Sequence, residues 1–71
     1  MKRFTRQHLQ TLQEIVTGEY YSELAITQAI TTTDDMEAKI LLMNMLNGLF
    51  TFQMRMELQS YINDETAKLK Q

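Results

Sequence analysis

The sequence predicts an all-α fold, with short helices packed on one long C-terminal helix as a helical hairpin or three-helix unit that pairs into a dimeric bundle. Three observations predict it. The 71 residues include no proline and only two glycines, Gly18 and Gly48, a composition poor in turn chemistry. Apolar residues recur at three- and four-residue spacing in residues 9–16 and again beyond residue 36, the amphipathic helix pattern. Residues 36–61 carry apolar side chains on two opposite sides of a helical wheel, whereas packing against one core needs a single stripe.

The first helix is expected over residues 5–17. Thr5 reads as its N-cap, with Phe4 and Leu9 as the two halves of a hydrophobic staple. Leu9, Leu12, Ile15 and Val16 form its buried face. Gly18 stands where a glycine beyond the C-cap ends a helix. After it the apolar phase, carried by Tyr21, Leu24, Ala25 and Ala29, turns by a quarter turn or more at about 100° per residue. Two helices, over 5–17 and 19–31, are therefore favoured over a single bent helix.

Thr31, Thr32 and Thr33 are β-branched and mediocre helix formers. Thr33 or Thr32 is expected to cap the last helix, with Asp34, Asp35 and Glu37 in its first turn, where negative charge suits the helix dipole. That helix is expected to run from 34 to 69. Gly48 interrupts it only weakly, since a mid-helix glycine costs on the order of 1 kcal/mol. Lys68 and Lys70 lie at the end of the dipole that favours cations.

Two stripes follow from this continuous helix. Met36, Ile40, Met43, Phe50, Met54, Leu58 and Tyr61 are expected to form the intrachain core. Ala38, Leu41, Leu42, Met45, Leu49, Phe52 and Met56 are expected to cover a second copy, giving an antiparallel homodimer. The methionines among them read chiefly as core filler, and secondarily as an adaptable surface.

No cysteine is present and His8 is the sole histidine, so thiolate and His-rich metal sites are excluded and no cofactor or metal is expected. No phosphate loop, nucleophile elbow or zinc pattern appears, so an enzyme is not expected. The basic start does not continue into an unbroken apolar run, as a signal peptide would. The apolar run from Ile40 to Phe52 is too short to span a membrane. A cytoplasmic protein with no membrane partner is the resulting expectation.

Net charge is −2, placed unevenly: +3 over residues 1–6, −6 over residues 7–38 and +1 over the remainder. The favoured function is a small regulatory or adaptor protein, in the style of phage or mobile-element accessory proteins, that binds another protein through its acidic N-terminal half. Glu14, Glu19, Tyr20, Tyr21 and Glu23 are its candidate contacts, tyrosine being enriched at interface hot spots. The alternative is a dimeric DNA-binding regulator touching phosphates with Lys2, Arg3 and Arg6; three bases ahead of an acidic stretch are few for that task. An assembly or scaffold role is the third reading.

Overall fold

Caps placed along the chain divide it into four helices. The computed structural model describes residues 3–70, and in it α1 (Arg6–Thr17), α2 (Glu23–Thr32), α3 (Met36–Leu46) and α4 (Phe52–Leu69) follow one another, with no strand among the described residues. None of these helices is long and apolar enough to cross a membrane.

α1 begins as its sequence dictates. The Thr5 hydroxyl accepts the His8 amide at 3.1 Å, and His8 Nδ1 accepts the Thr5 amide at 3.4 Å. His8 thus takes the place that Glu or Gln holds in a capping box. Phe4 and Leu9 are both buried, as are Leu12, Ile15 and Val16. Gly18, at φ +86°, ends the helix: its amide donates to the Ile15 carbonyl at 3.1 Å, and the Glu19 amide donates to the Glu14 carbonyl at 2.9 Å. This bond pair is a Schellman motif.

α2 starts four residues later than the expected boundary, because Ser22 caps it by accepting the Ala25 amide at 3.2 Å. The later start changes which side chains face inward. Ile26 and Ala29 are buried, whereas Tyr21 and Leu24, expected on the core stripe, are exposed. The threonine run ends α2 as expected, but it does not cap the next helix. Buried Thr33 is hydrogen-bonded to the Tyr61 hydroxyl, and its own oxygen accepts the Asp35 amide at 3.1 Å. The cap of α3 is instead Asp35, whose carboxylate accepts the Ala38 amide at 3.1 Å. Asp34 therefore lies outside the helix. Lys39 Nζ donates to the Ile30 carbonyl at 2.7 Å, placing a cation at the C-terminal end of α2, where the dipole favours one.

The expected helix over 34–69 is two helices. Gly48 adopts φ +72°, a conformation glycine enters without steric cost. Its amide donates to the Met45 carbonyl at 3.2 Å, and the Leu49 amide donates to the Asn44 carbonyl at 2.9 Å, repeating the Schellman motif of Gly18. Three residues on, the Thr51 hydroxyl accepts the Met54 amide at 3.1 Å and starts α4. The Arg55 guanidinium lies 5.5 Å from the Phe50 ring centroid, a cation–π contact that folds the entering chain against the first turn.

This turn also resolves the two stripes. α3 buries Ala38, Leu41, Leu42 and Met45, all expected on the self-association stripe. α4 buries Leu58, with Phe50, Met54 and Tyr61 half-buried beside it, all expected on the other stripe. On one straight helix these sets would face opposite ways. Reversing the chain between them turns both onto one core. Met36, Ile40 and Met43, expected in the core, are exposed, as are Leu49, Phe52 and Met56.

Contacts between the helices define an antiparallel bundle. The Gln13 and Gln59 amides exchange hydrogen bonds of 2.7 and 2.6 Å. The Phe4 ring meets Tyr61 edge-on at 6.2 Å. Towards its other end α1 places Val16 beside Met56. α1 and α4 thus run in opposite directions. α3 and α4 do likewise, with Thr33 at Tyr61 and Leu41 near Glu57. Among the described residues, each helix packs on its neighbours in the cyclic order α1–α2–α3–α4, and the backbones of the diagonal pairs stand farther apart.

Two expected results follow from this fold. Gly48→Ala forces a left-handed conformation on an L-residue, at a cost of about 1–2 kcal/mol. No atom lies within 4 Å of the added Cβ, so the cost is conformational, and thermal unfolding should shift down by roughly 4–8 °C for each kcal/mol. An unchanged melting temperature would argue against the turn. The second result concerns Tyr61. Burial raises its phenol above the ordinary value, the Glu65 and Asp35 carboxylates add to this, and the bond to Thr33 opposes it. The folded state therefore holds the proton more tightly than the unfolded chain. The resulting stability is complete below the ordinary tyrosine value of about 10 and is lost as pH rises through the folded value. Denaturation followed between pH about 9 and 11 should show this loss, and Tyr61→Phe should reduce it.

Candidate interaction surface

The up-and-down topology gives the bundle two unlike poles. One gathers the start of α1, the 33–35 turn and the end of α4. There Arg3, Asp34, Asp35, Glu65 and Lys68 surround a shallow cavity of about 230 Å³ floored by Phe4 and Tyr61. Its charges are mixed. Lys68 Nζ lies 2.7 Å from Glu65, a contact that holds the ammonium above its ordinary value. Lys2, the first base of the expected DNA-binding arm, lies outside the described residues. Arg3 sits among Asp34, Asp35 and Glu65, and those carboxylates repel a phosphate backbone.

The other pole gathers the 18–22 and 47–51 connections and the helix ends beside them. It carries Tyr20, Tyr21, Leu24, Met43 and Leu49, each half or more exposed, and Leu24 is 69% exposed. Scattered exposed apolar residues are ordinary, but a group of them is not. The charges nearest in sequence to Tyr20, Tyr21 and Leu24 are acidic, whereas Lys39 is nearest to Met43 and Arg55 to Leu49. Glu19 is held by the Thr17 hydroxyl at 3.2 Å, and Glu23 is in the first turn of α2. Glu14 is half-buried, and its carbonyl receives the Glu19 and Tyr20 amides.

The residues singled out in the sequence thus divide by place. Glu19, Tyr20, Tyr21 and Glu23 lie at the apolar pole, and Leu49 of the expected self-association stripe lies at that same pole. Phe52 and Met56 of that stripe are exposed on α4, and Phe52 is 74% exposed. Ala38, Leu41, Leu42 and Met45 are consumed by the chain's own core and have no surface to offer a second copy. Leu24 and Met43 were missed as surface residues, because the phase of α2 depends on Ser22 and that of α3 on the turn at Gly48. The signal available was the run Asn47-Gly48 followed by Thr51, a helix stop with a helix start three residues on.

No group of three or more His, Asp or Glu side chains able to hold a metal ion occurs among the described residues. No family model, no curated protein and no solved structure matches this chain.

Proposed function

We propose that this protein is a non-enzymatic adaptor or regulator that docks another protein on its apolar pole. The observation that carries the reading is the gathering of Tyr20, Tyr21, Leu24, Met43 and Leu49 at one end of the bundle, with Glu19 and Glu23 beside them. Tyrosines supply large contact area with a polar tip, and such residues dominate interface energies. The acidic neighbours select a partner with a basic, apolar surface, since complementary charge sets specificity and encounter rate.

The test uses model ligands and amide chemical shifts of the intact chain. A basic amphipathic helical peptide of leucine and lysine should perturb the amides of residues 19–24 and 43–49, and the effect should fade with added salt. Its leucine–glutamate counterpart should bind more weakly. Tyr20→Ala with Tyr21→Ala should weaken binding by roughly tenfold or more, 1.4 kcal/mol per tenfold. Perturbation centred on Arg3 and Lys68, or equal binding of the two peptides, would sink the proposal. A short DNA duplex provides the competing arm: DNA binding at low salt that spares the apolar pole would favour a nucleic-acid regulator.

A further inference from the structure

Asparagine is a thermolabile residue, because the backbone nitrogen of the next residue can attack its side-chain amide. A glycine in that next place leaves the nitrogen least hindered, since it carries no Cβ. The chain has three asparagines, Asn44, Asn47 and Asn63, and only Asn47 precedes a glycine. Asn44 precedes Met45 inside α3, and Asn63 precedes Asp64 inside α4. The matching turn at Gly18 follows Thr17, whose hydroxyl offers no amide to attack. Asn47-Gly48 is therefore the most labile linkage of the sequence, and it sits at the turn that reverses the chain between α3 and α4.

The closed turn holds this pair in an unreactive shape. Asn47 has ψ 5°, so the Gly48 nitrogen eclipses the backbone nitrogen of Asn47. Closing a five-membered ring onto Asn47 Cγ requires it to eclipse Cβ instead, a third of a turn away. The Gly48 amide must also give up its proton to attack, and that proton is donated to the Met45 carbonyl at 3.2 Å. Both obstacles vanish when the turn opens. Little packing opposes a local opening: Asn47, Gly48, Leu49 and Thr51 are exposed, and no atom lies within 4 Å of a Cβ placed on Gly48. Exposed backbone hydrogen bonds with few packed neighbours mark the segments that open at low free energy.

We propose that Asn47 is a self-modification site gated by the opening of the α3–α4 turn. In the open turn the Gly48 nitrogen loses its proton to hydroxide and bonds to Asn47 Cγ. The Cγ–Nδ2 bond breaks, and the leaving nitrogen takes a proton from water and departs as ammonia, which leaves a succinimide ring. Water then adds to one of the two ring carbonyls and opens the ring, giving aspartate or isoaspartate at position 47. Isoaspartate runs the main chain through Cβ and lengthens it by one methylene. The two bonds that define the turn, from the Gly48 amide to Met45 and from the Leu49 amide to Asn44, both span position 47, so neither re-forms in its old register. Either product also sets a new carboxylate at the C-terminal end of α3, where the dipole disfavours an anion. Loss of ammonia makes the change one-way. The site depends on the turn alone and is independent of the adaptor reading.

Peptide mapping by mass spectrometry of the intact chain, aged in mildly alkaline buffer with and without unfolding urea, tests the proposal. Asn47 should convert in both, and about tenfold or more faster in urea, because the folded rate is scaled by the fraction of open turns. Thr51→Ala removes the α4 cap without touching Asn47 or Gly48, and should speed conversion of the folded chain. The isoaspartate form, separated by chromatography, should melt below the unconverted chain. Asn47→Asp, with the same charge on an unaltered main chain, should melt closer to it. Equal rates in the folded and unfolded chain overturn the proposal. So does an Asn47 that stays intact in either state, and so does conversion of Asn44 or Asn63 at the same rate. An isoaspartate form that melts with the unconverted chain overturns the consequence drawn for the turn.

Discussion

Leu42→Glu should leave the chain largely unfolded, whereas Ile40→Glu, two residues away on the same helix, should leave it folded. Leu42 is 0% exposed in the core shared by the four helices, and Ile40 is 52% exposed on the outer side of α3. The first substitution removes a leucine whose burial contributes about 1.5–3 kcal/mol. It also places a carboxylate where no partner waits; the lost hydrogen bonds alone cost a buried polar group about 1–3 kcal/mol, and a charge costs more. A domain of this length holds only about 4–10 kcal/mol in total. The second substitution exchanges one exposed side chain for another, and such changes usually stay within about 0.5 kcal/mol. Far-ultraviolet circular dichroism and thermal melting separate the two. A folded Leu42→Glu beside an unfolded Ile40→Glu would mean that the intrachain core uses the other stripe of residues 36–46.

Leu58→Ala should cost about 2–5 kcal/mol, the range for deleting a fully buried leucine. Leu58 is 0% exposed on α4, in the core that also takes residues from α1, α2 and α3. The four helices leave little freedom to collapse into the cavity, because the α1–α4 seam is fixed by the Gln13–Gln59 amide pair and the turn between α2 and α3 is tied to α4 by the Thr33–Tyr61 bond. Met56→Ala on the outer face of the same helix should cost well under 1 kcal/mol. Urea denaturation of both variants checks this. Equal losses would show that the outward stripe of α4 is as buried as the inward one, a result that self-association tight enough to resist dilution would produce, and sedimentation of the same samples would reveal it.

The helical class was legible in composition and spacing alone. So was the whole of α1, because its determinants are local: Thr5 and Gly18 satisfy backbone groups within one turn of themselves, and caps of this kind act on their own neighbours. The apolar side chains of residues 36–61 were also legible as two stripes. Their meaning was not. A wheel drawn through Gly48 assumes one helix, and a glycine inside a helical pattern is penalised too lightly to rule that out. What turns Gly48 into a stop is the cooperation of Asn47 before it, the amides of Gly48 and Leu49 returning to α3, and Thr51 capping the next helix.

The candidate surface was legible in part. Tyr20, Tyr21, Glu19 and Glu23 were marked by chemistry and local order. Leu24, Met43 and Leu49 joined them only through topology, which sets the 18–22 and 47–51 connections at the same pole. The sequence by itself thus determined the all-helical class, the extent of α1 and that residues 36–61 have two apolar sides. Only the tertiary structure decided which half of each stripe is buried. The physical reason is that a wheel is relative to a helix axis: once the chain reverses at Gly48, residues on opposite sides of one imagined helix come to face one core, and their counterparts are left to the surface.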